Sequence, residues 1–475
     1  MARKTTGELA ASLKGVVEID SKGGVTVKDK KRLAAEVIET LAMESAVADI
    51  PAVKDYANWL IWEIGRELGV QPASIFELYL ARGRGEISGF SVPAVNLRGM
   101  TFHSARAMLR AAKRLHAGAF IFEIAKSEMG YTLQRPAEYT AQVAAAAIAE
   151  GYTGPVFIQG DHFQANIKKF REDRGKEVQS LRDLITEAVG AGFYNIDIDS
   201  STLVDLSKGT VLEQQRDNFE VAAELTAFIR KIEPAGVTVS VGGEIGEVGK
   251  KNSTEEELHA FMTGYKETLA KLGADLRGLA KMSVQTGTSH GGVVLPDGTV
   301  AKVALDFSVL DNLGRVGREK YAMAGAVQHG ASTLPEDAFD KFPAVGTAEV
   351  HLATGFQNLL YDSPNLPSAL RDRIYAWVKE NCKDEWKAGD SEQQFIYKAR
   401  KKGIGPFKKD FWALPAEAKD RIMAELETKF HLIFSKLRIE NTFEVVKDRI
   451  PVIAVRKAPP SGRVEGKELD GEGDD

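Results

Sequence analysis

A single cysteine, Cys382, occurs in 475 residues. An intrachain disulfide is therefore excluded, and the expected setting is a reducing one, the cytoplasm. Long apolar runs are missing as well. No stretch approaches the roughly 20 residues that a bilayer-spanning helix needs, so no membrane partner is expected. The opening segment MARKTTGELAASLKGVVEID has no apolar core of the secretory type. Charge of one sign is not in excess either. Sixty-two Lys and Arg against 67 Asp and Glu leave a formal net charge of −5, which offers no electrostatic footprint for nucleic acid. No internal repeat is visible.

What is present is a chain 44% hydrophobic, enough to bury a substantial core. Residues 1–85 read as helical. KDKKRLAAEVIETLAMESA and AVKDYANWLIWEIGRELG carry apolar residues at helical spacing. Residues 86–358 alternate short β-branched runs with longer helical stretches, the signature of βαβ units. Eight strands are predicted: SVPAVN, AFIFEI, PVFIQG, YNIDID, VTVSVGGE, LAKMSVQTG, YAMAGAVQHG and TAEVHLAT. Eight β–α units favour a closed (β/α)8 TIM barrel over an open sheet. Residues 359–455 return to amphipathic helices, PSALRDRIYAWVKENC and PAEAKDRIMAELETKFHLIFSKL among them. Residues 456–475 are almost devoid of apolar side chains and are expected to be disordered. The helical extensions are expected to cover the barrel's outside or a subunit interface, and a homo-oligomer is anticipated.

In a barrel, chemistry gathers at the C-terminal ends of the strands. His162, His290 and His329 each close a predicted strand beside a glycine or an aspartate. Imidazole is a preferred zinc ligand, and three protein ligands leave one position open to substrate. A lone histidine is more often a solvated or hydrogen-bonded residue. His103, His116, His259 and His431 are read that way, within helices. The trio gains weight because all three fall at one end of the same predicted barrel. Gly291 and Gly330, directly after two of them, would let backbone N–H groups approach an anion closely. Asp199 and Glu244 also sit at strand ends, where acids can equally well hold loop backbone.

Taken together, these segments resemble the class II fructose-bisphosphate and tagatose-bisphosphate aldolases over about residues 90–358. PAVN at 93–96, GDH at 160–162 and IDSSTL at 198–203 are similar to successive family motifs. So are GGEIGEVG at 242–249, GTSHGG at 287–292 and QHGAS at 328–332. The resemblance implies a catalytic Zn2+ on His162, His290 and His329, and a second divalent or monovalent ion as an option. Asp161 would then be the acid/base on the substrate's C4 hydroxyl. Asp199 and Glu244 would orient the imidazoles or offer an alternative metal position. Asn96 would contact substrate, and Gly291, Gly330, Ser332 and Thr354 would fall where the family binds phosphate. The implied reaction is reversible aldol cleavage of a phosphorylated ketose through an enediolate.

Departures from the family pattern keep other readings open. Gln159 stands where another histidine is usual. The loop Gly249-Lys250-Lys251-Asn252 lacks an acidic pair, with Glu255, Glu256 and Glu257 following later. An Asn-x-x-Thr-Asp motif is replaced by His351-Leu352-Ala353-Thr354-Gly355. One alternative is a non-catalytic accessory subunit of the tagatose-bisphosphate aldolase type. Another is a metal-dependent carbon–carbon lyase acting on a different sugar phosphate or an acidic ketose.

Overall fold

The computed structural model describes residues 5–246, 251–287, 295–296 and 305–460. Eight parallel strands form its centre: β1 Val92–Asn96, β2 Ile121–Ala125, β3 Gly154–Gln164, β4 Asn195–Asp199, β5 Ser240–Glu244, β6 Lys281–Ser283, β7 Ala326–Gln328 and β8 Glu349–Leu352. Each pairs with the next, and β8 pairs back onto β1, with Glu349 opposite Val92 and Leu352 opposite Val95. The ring is closed, a (β/α)8 barrel. Nearly every strand residue is buried, as expected of strands covered on both faces. Each predicted strand segment overlaps one of these eight.

Between strands run helices that include Thr101–Arg114, Pro136–Ala149, Arg174–Ala191, Arg216–Ile232 and Glu255–Leu272. Capping fixes where they begin. Thr254 and Glu257 form a reciprocal box at the start of Glu255–Leu272, and Asp173 accepts the Lys176 N–H at the start of Arg174–Ala191.

The N-terminal region contains helices, as expected, but also two features of extended chain. Val17–Ile19 and Val25–Val27 form an antiparallel hairpin, and Val70–Ala73 adds a parallel strand beside the first residues of β3. Helix Phe76–Gly83 then closes the N-terminal end of the barrel. Its Tyr79 hydroxyl donates to Glu349 inside the ring. Its Arg82 guanidinium donates to the carbonyls of Phe90, Gly346 and Thr347, just ahead of β1 and β8.

The other terminal helices pack on the barrel's outer helices. Ile38–Val47 and Pro51–Leu68 lie on Pro136–Ala149, and Ala416–Lys436 lies on Thr101–Arg114. Phe430 stacks on Phe356 with ring centroids 4.3 Å apart. The head of the segment expected to be disordered is held against Pro51–Leu68. Trp59 Nε1 donates to the Lys457 carbonyl at 3.0 Å, and Trp62 Nε1 to the Val455 carbonyl at 2.8 Å. Glu63 accepts the Lys457 N–H, and the Lys457 ammonium sits 3.4 Å over the Trp62 ring. Residues 461–475 lie outside the described residues. Among the described residues, no helix is long and apolar enough to cross a membrane.

Candidate metal centre and active site

Consecutive residues of a strand normally point to opposite faces, yet Asp161 and His162 both take part in one cluster. Strand β3 does not end before them but runs on to Gln164, with a register shift against β4 between Gly160 and Phe163. His162 takes φ 41°, in the left-handed region, inside this bulge. Gly160 makes room for it, because a Cβ there would lie 2.5 Å from the Phe163 ring.

The bulge aims the His162 Nε2 at His329 Nδ1, 2.6 Å away at the end of β7. Asp161 Oδ1 lies 3.8 Å from the same Nε2. On its other side, His162 Nδ1 is 3.1 Å from Asp199 Oδ2 and 3.5 Å from Glu244 Oε2. Ser283 Oγ meets the remaining nitrogen of His329 at 2.9 Å, the kind of partner that fixes a ligand imidazole's orientation. All these side chains are buried except Glu244, which is half-buried. Asp161 Oδ1 has no hydrogen-bond partner. Two sets of nitrogen and carboxylate donors thus converge closely enough to share an ion: Asp161, His162 and His329, and His162, Asp199 and Glu244. The donor chemistry suits a divalent ion of the zinc type. His290 and Gly291 lie outside the described residues.

The electrostatics follow from packing charges in a dry place. Burial opposes charge on His162, but Asp161, Asp199 and Glu244 hold its imidazole well above the usual range. Burial also works against the Asp161 carboxylate, but His162 and His351 outweigh it and keep the acid ionised. Glu244 goes the other way: burial, with the Asp199 charge beside it, pushes its carboxyl up to about 8.

Asn96, Gly330, Ser332 and Thr354 line the same cavity as Asp161, His162 and His329. Asn96 Nδ2 donates to Asp161 Oδ2 at 3.0 Å. Ser332 Oγ accepts the Gly355 N–H, and Thr354 is the first residue of helix Thr354–Asp362. Glu255 and Glu257, the acids that follow the 249–252 loop, serve the start of their own helix: Glu257 closes its capping box and Glu255 bonds Asn312. His116 is not helical but left-handed at φ 51°, past the end of Thr101–Arg114.

Several residues of the site were given no role from the sequence. Arg98 lines the cavity, bonding Glu128, Gln357 and Thr354. His351 does too, its ring stacked on His329 at 4.1 Å. Beneath them the barrel is filled with polar side chains. Lys281 Nζ donates to Gln159 and Asp197, each at 2.9 Å, and to Glu349. Gly242 leaves space for two of these, since a Cβ there would meet Asp197 Oδ1 at 2.3 Å and Lys281 Cε at 2.8 Å. The signal was in the sequence: Gln159 with Asp161, Asp197 with Asp199, and Glu349 with His351 are i, i+2 pairs, facing inward together.

Comparison with known proteins adds a family. The model of the class-II fructose-bisphosphate aldolases matches residues 84–421. Among solved structures, a fructuronate–tagaturonate epimerase from Cohnella laeviribosi aligns over 92% of this chain and 91% of its own, with 11% identity and a TM-score of 0.55. A probable tagatose 6 phosphate kinase from Sinorhizobium meliloti 1021 aligns over 74% of this chain and 99% of its own, with 17% identity and a TM-score of 0.51. At these identities the structural likenesses speak for the fold.

Proposed function

Because the chain belongs to the class-II fructose-bisphosphate aldolase family, we propose that it carries out zinc-dependent, reversible aldol cleavage of a phosphorylated ketose. The observation that supports this most is the convergence of Asp161, His162 and His329 on the cavity that Gly330, Ser332 and Thr354 also line. His162 and His329, with His290, would hold the zinc. When bound, the ion supplies Lewis-acid charge beside the substrate ketone, where negative charge develops on cleavage. Asp161 takes the proton from the C4 hydroxyl as the C3–C4 bond breaks, and returns it in condensation. Its Oδ2, held by Asn96, is the oxygen assigned this task. The anionic end of the substrate lies against the Gly330 and Ser332 backbone and the start of helix Thr354–Asp362, where N–H groups favour negative charge.

A second reading keeps the bond cleavage and changes the substrate. The alignment with the epimerase covers 92% of this chain and so includes terminal helices, and Arg98, ion-paired with Glu128, puts a guanidinium in the cavity wall. Cleaving an acidic ketose, turning the aldehyde and re-forming the bond would invert one carbon.

One panel separates these readings. Ketose bisphosphates and unphosphorylated ketohexuronates are offered with and without a chelator. Release of triose phosphate that stops with chelator is the expected result. Epimerisation of a hexuronate without triose phosphate would replace the first reading with the second. No turnover of either class, in protein shown to hold zinc, would count against both and favour an accessory role.

A further inference from the structure

We propose that a second divalent cation binds within the barrel, between Glu123, Asp161 and His351, below the His162–His329 centre and distinct from the Asp199–Glu244 position. The inference rests on the reading of His162 and His329 as the upper site, and it concerns two donors which that reading leaves unused, Glu123 and His351, with the second carboxylate oxygen of Asp161.

His351 is the pivot. Its Nε2 lies 2.6 Å from Glu349 Oε1. An N–H donated there leaves Nδ1 with a lone pair. That Nδ1 faces Asp161 Oδ1 at 3.2 Å and Glu123 Oε1 at 3.3 Å. Each of the three atoms is buried and without a hydrogen-bond partner. A proton on Nδ1 faces both carboxylates but is well aligned with neither, and an ion entering here takes that proton's place. Without that proton, three buried lone-pair-bearing atoms face one another, which is costly. A cation among them satisfies all three. The two distances from Nδ1 come close to this geometry, in which ligands about 2.0–2.2 Å from a tetrahedral ion lie about 3.3–3.6 Å from each other.

The rest of each side chain is already anchored. Gln159 donates to Glu123 Oε2 and Asn96 to Asp161 Oδ2, so the bare oxygens are turned toward His351. Lys281 does not serve as their counter-charge. Among the described residues its hydrogen bonds reach Gln159, Asp197 and Glu349, and none reaches Glu123 or Asp161. Two carboxylates and one imidazole suit Zn2+ or Mn2+. Asp161 and His351 line the cavity, which gives the ion a way in. Asp161 would give Oδ1 to this ion and keep Oδ2 for the substrate.

Crystals of the full chain soaked in zinc or manganese chloride, with diffraction recorded on either side of the metal's absorption edge, locate the ions directly. The expected result is an anomalous peak about 2.0–2.2 Å from Glu123 Oε1, Asp161 Oδ1 and His351 Nδ1, together with a peak at His162 and His329. An upper peak with nothing below overturns this inference alone and leaves a shared proton as the explanation. A lower peak with nothing above sustains it and overturns the reading of the upper site. No peak at either overturns both. In Glu123→Gln, a near-isosteric change, the lower peak should vanish while the upper one stays. An unchanged lower peak in that variant would also overturn the inference.

Discussion

Asp161 carries the most specific chemistry, and it can be tested without disturbing its neighbours' shape. Asp161→Asn should lower kcat by roughly 10²-fold or more, with the ion at His162 and His329 retained. Steady-state kinetics and elemental analysis check the two halves. Glu244 gives a pH signature. Burial raises its carboxyl from the ordinary 4.5 to about 8, so between those values the folded protein holds a proton that the unfolded chain has released. The corresponding stability is fully present below about pH 4.5 and is lost as pH rises through about 8. Thermal unfolding of chelated protein should show the midpoint falling across that window, and Glu244→Gln should flatten the fall. An equal slope in both proteins would refute the assignment. That Asp161, His162, Asp199, Glu244 and His329 meet at one barrel mouth was legible in their places at predicted strand ends. Glu123 and Lys281 were not, and Glu349 only through its i, i+2 pairing with His351. They stand inside strands, where a polar residue reads as an interruption until the partner strand across the ring is known, and only closure brings Lys281 against Glu349.

Strand β3 shows why an element can be found and still be misjudged. Its apolar run PVFIQG announced it, but the strand continues four residues past Gly160, because the bulge absorbs Asp161 and His162 without ending the pairing with β4. No periodicity signals a bulge, since its cause is the left-handed His162 and the ring of Phe163 lying where a Cβ on Gly160 would be. Gly160→Ala should therefore cost about 1–3 kcal/mol from overpacking and turn His162 away from His329. Urea denaturation should show a lower midpoint, and the purified variant should hold less zinc. Full metal content at unchanged stability would mean the bulge tolerates a side chain. The hairpin Val17–Ile19 with Val25–Val27 and the strand Val70–Ala73 escaped notice for a simpler reason. Three or four residues, one of them Pro72, are too few to establish an alternation beside long helices.

At the scale of the whole molecule, the terminal helices are part of the barrel's closure and outer wall. Tyr79 reaches Glu349 from below, and Arg82 ties together the chain leading into the first and last strands. Deletion of residues 1–80 would remove Tyr79 and leave the Glu349 carboxylate buried without that donor. Such a protein is expected to aggregate on size-exclusion chromatography. A soluble, metal-loaded and active product would show the region to be dispensable. The end of the described chain adds a constraint of another kind. Trp59 and Trp62 donate to carbonyls 398 and 393 residues further along. At about 5–20 residues per second of synthesis, those indoles leave the ribosome roughly 20–80 s before their acceptors exist. The first helices must wait through the making of the entire barrel, and the segment around Val455 and Lys457, made after it, closes over them like a seal applied after assembly.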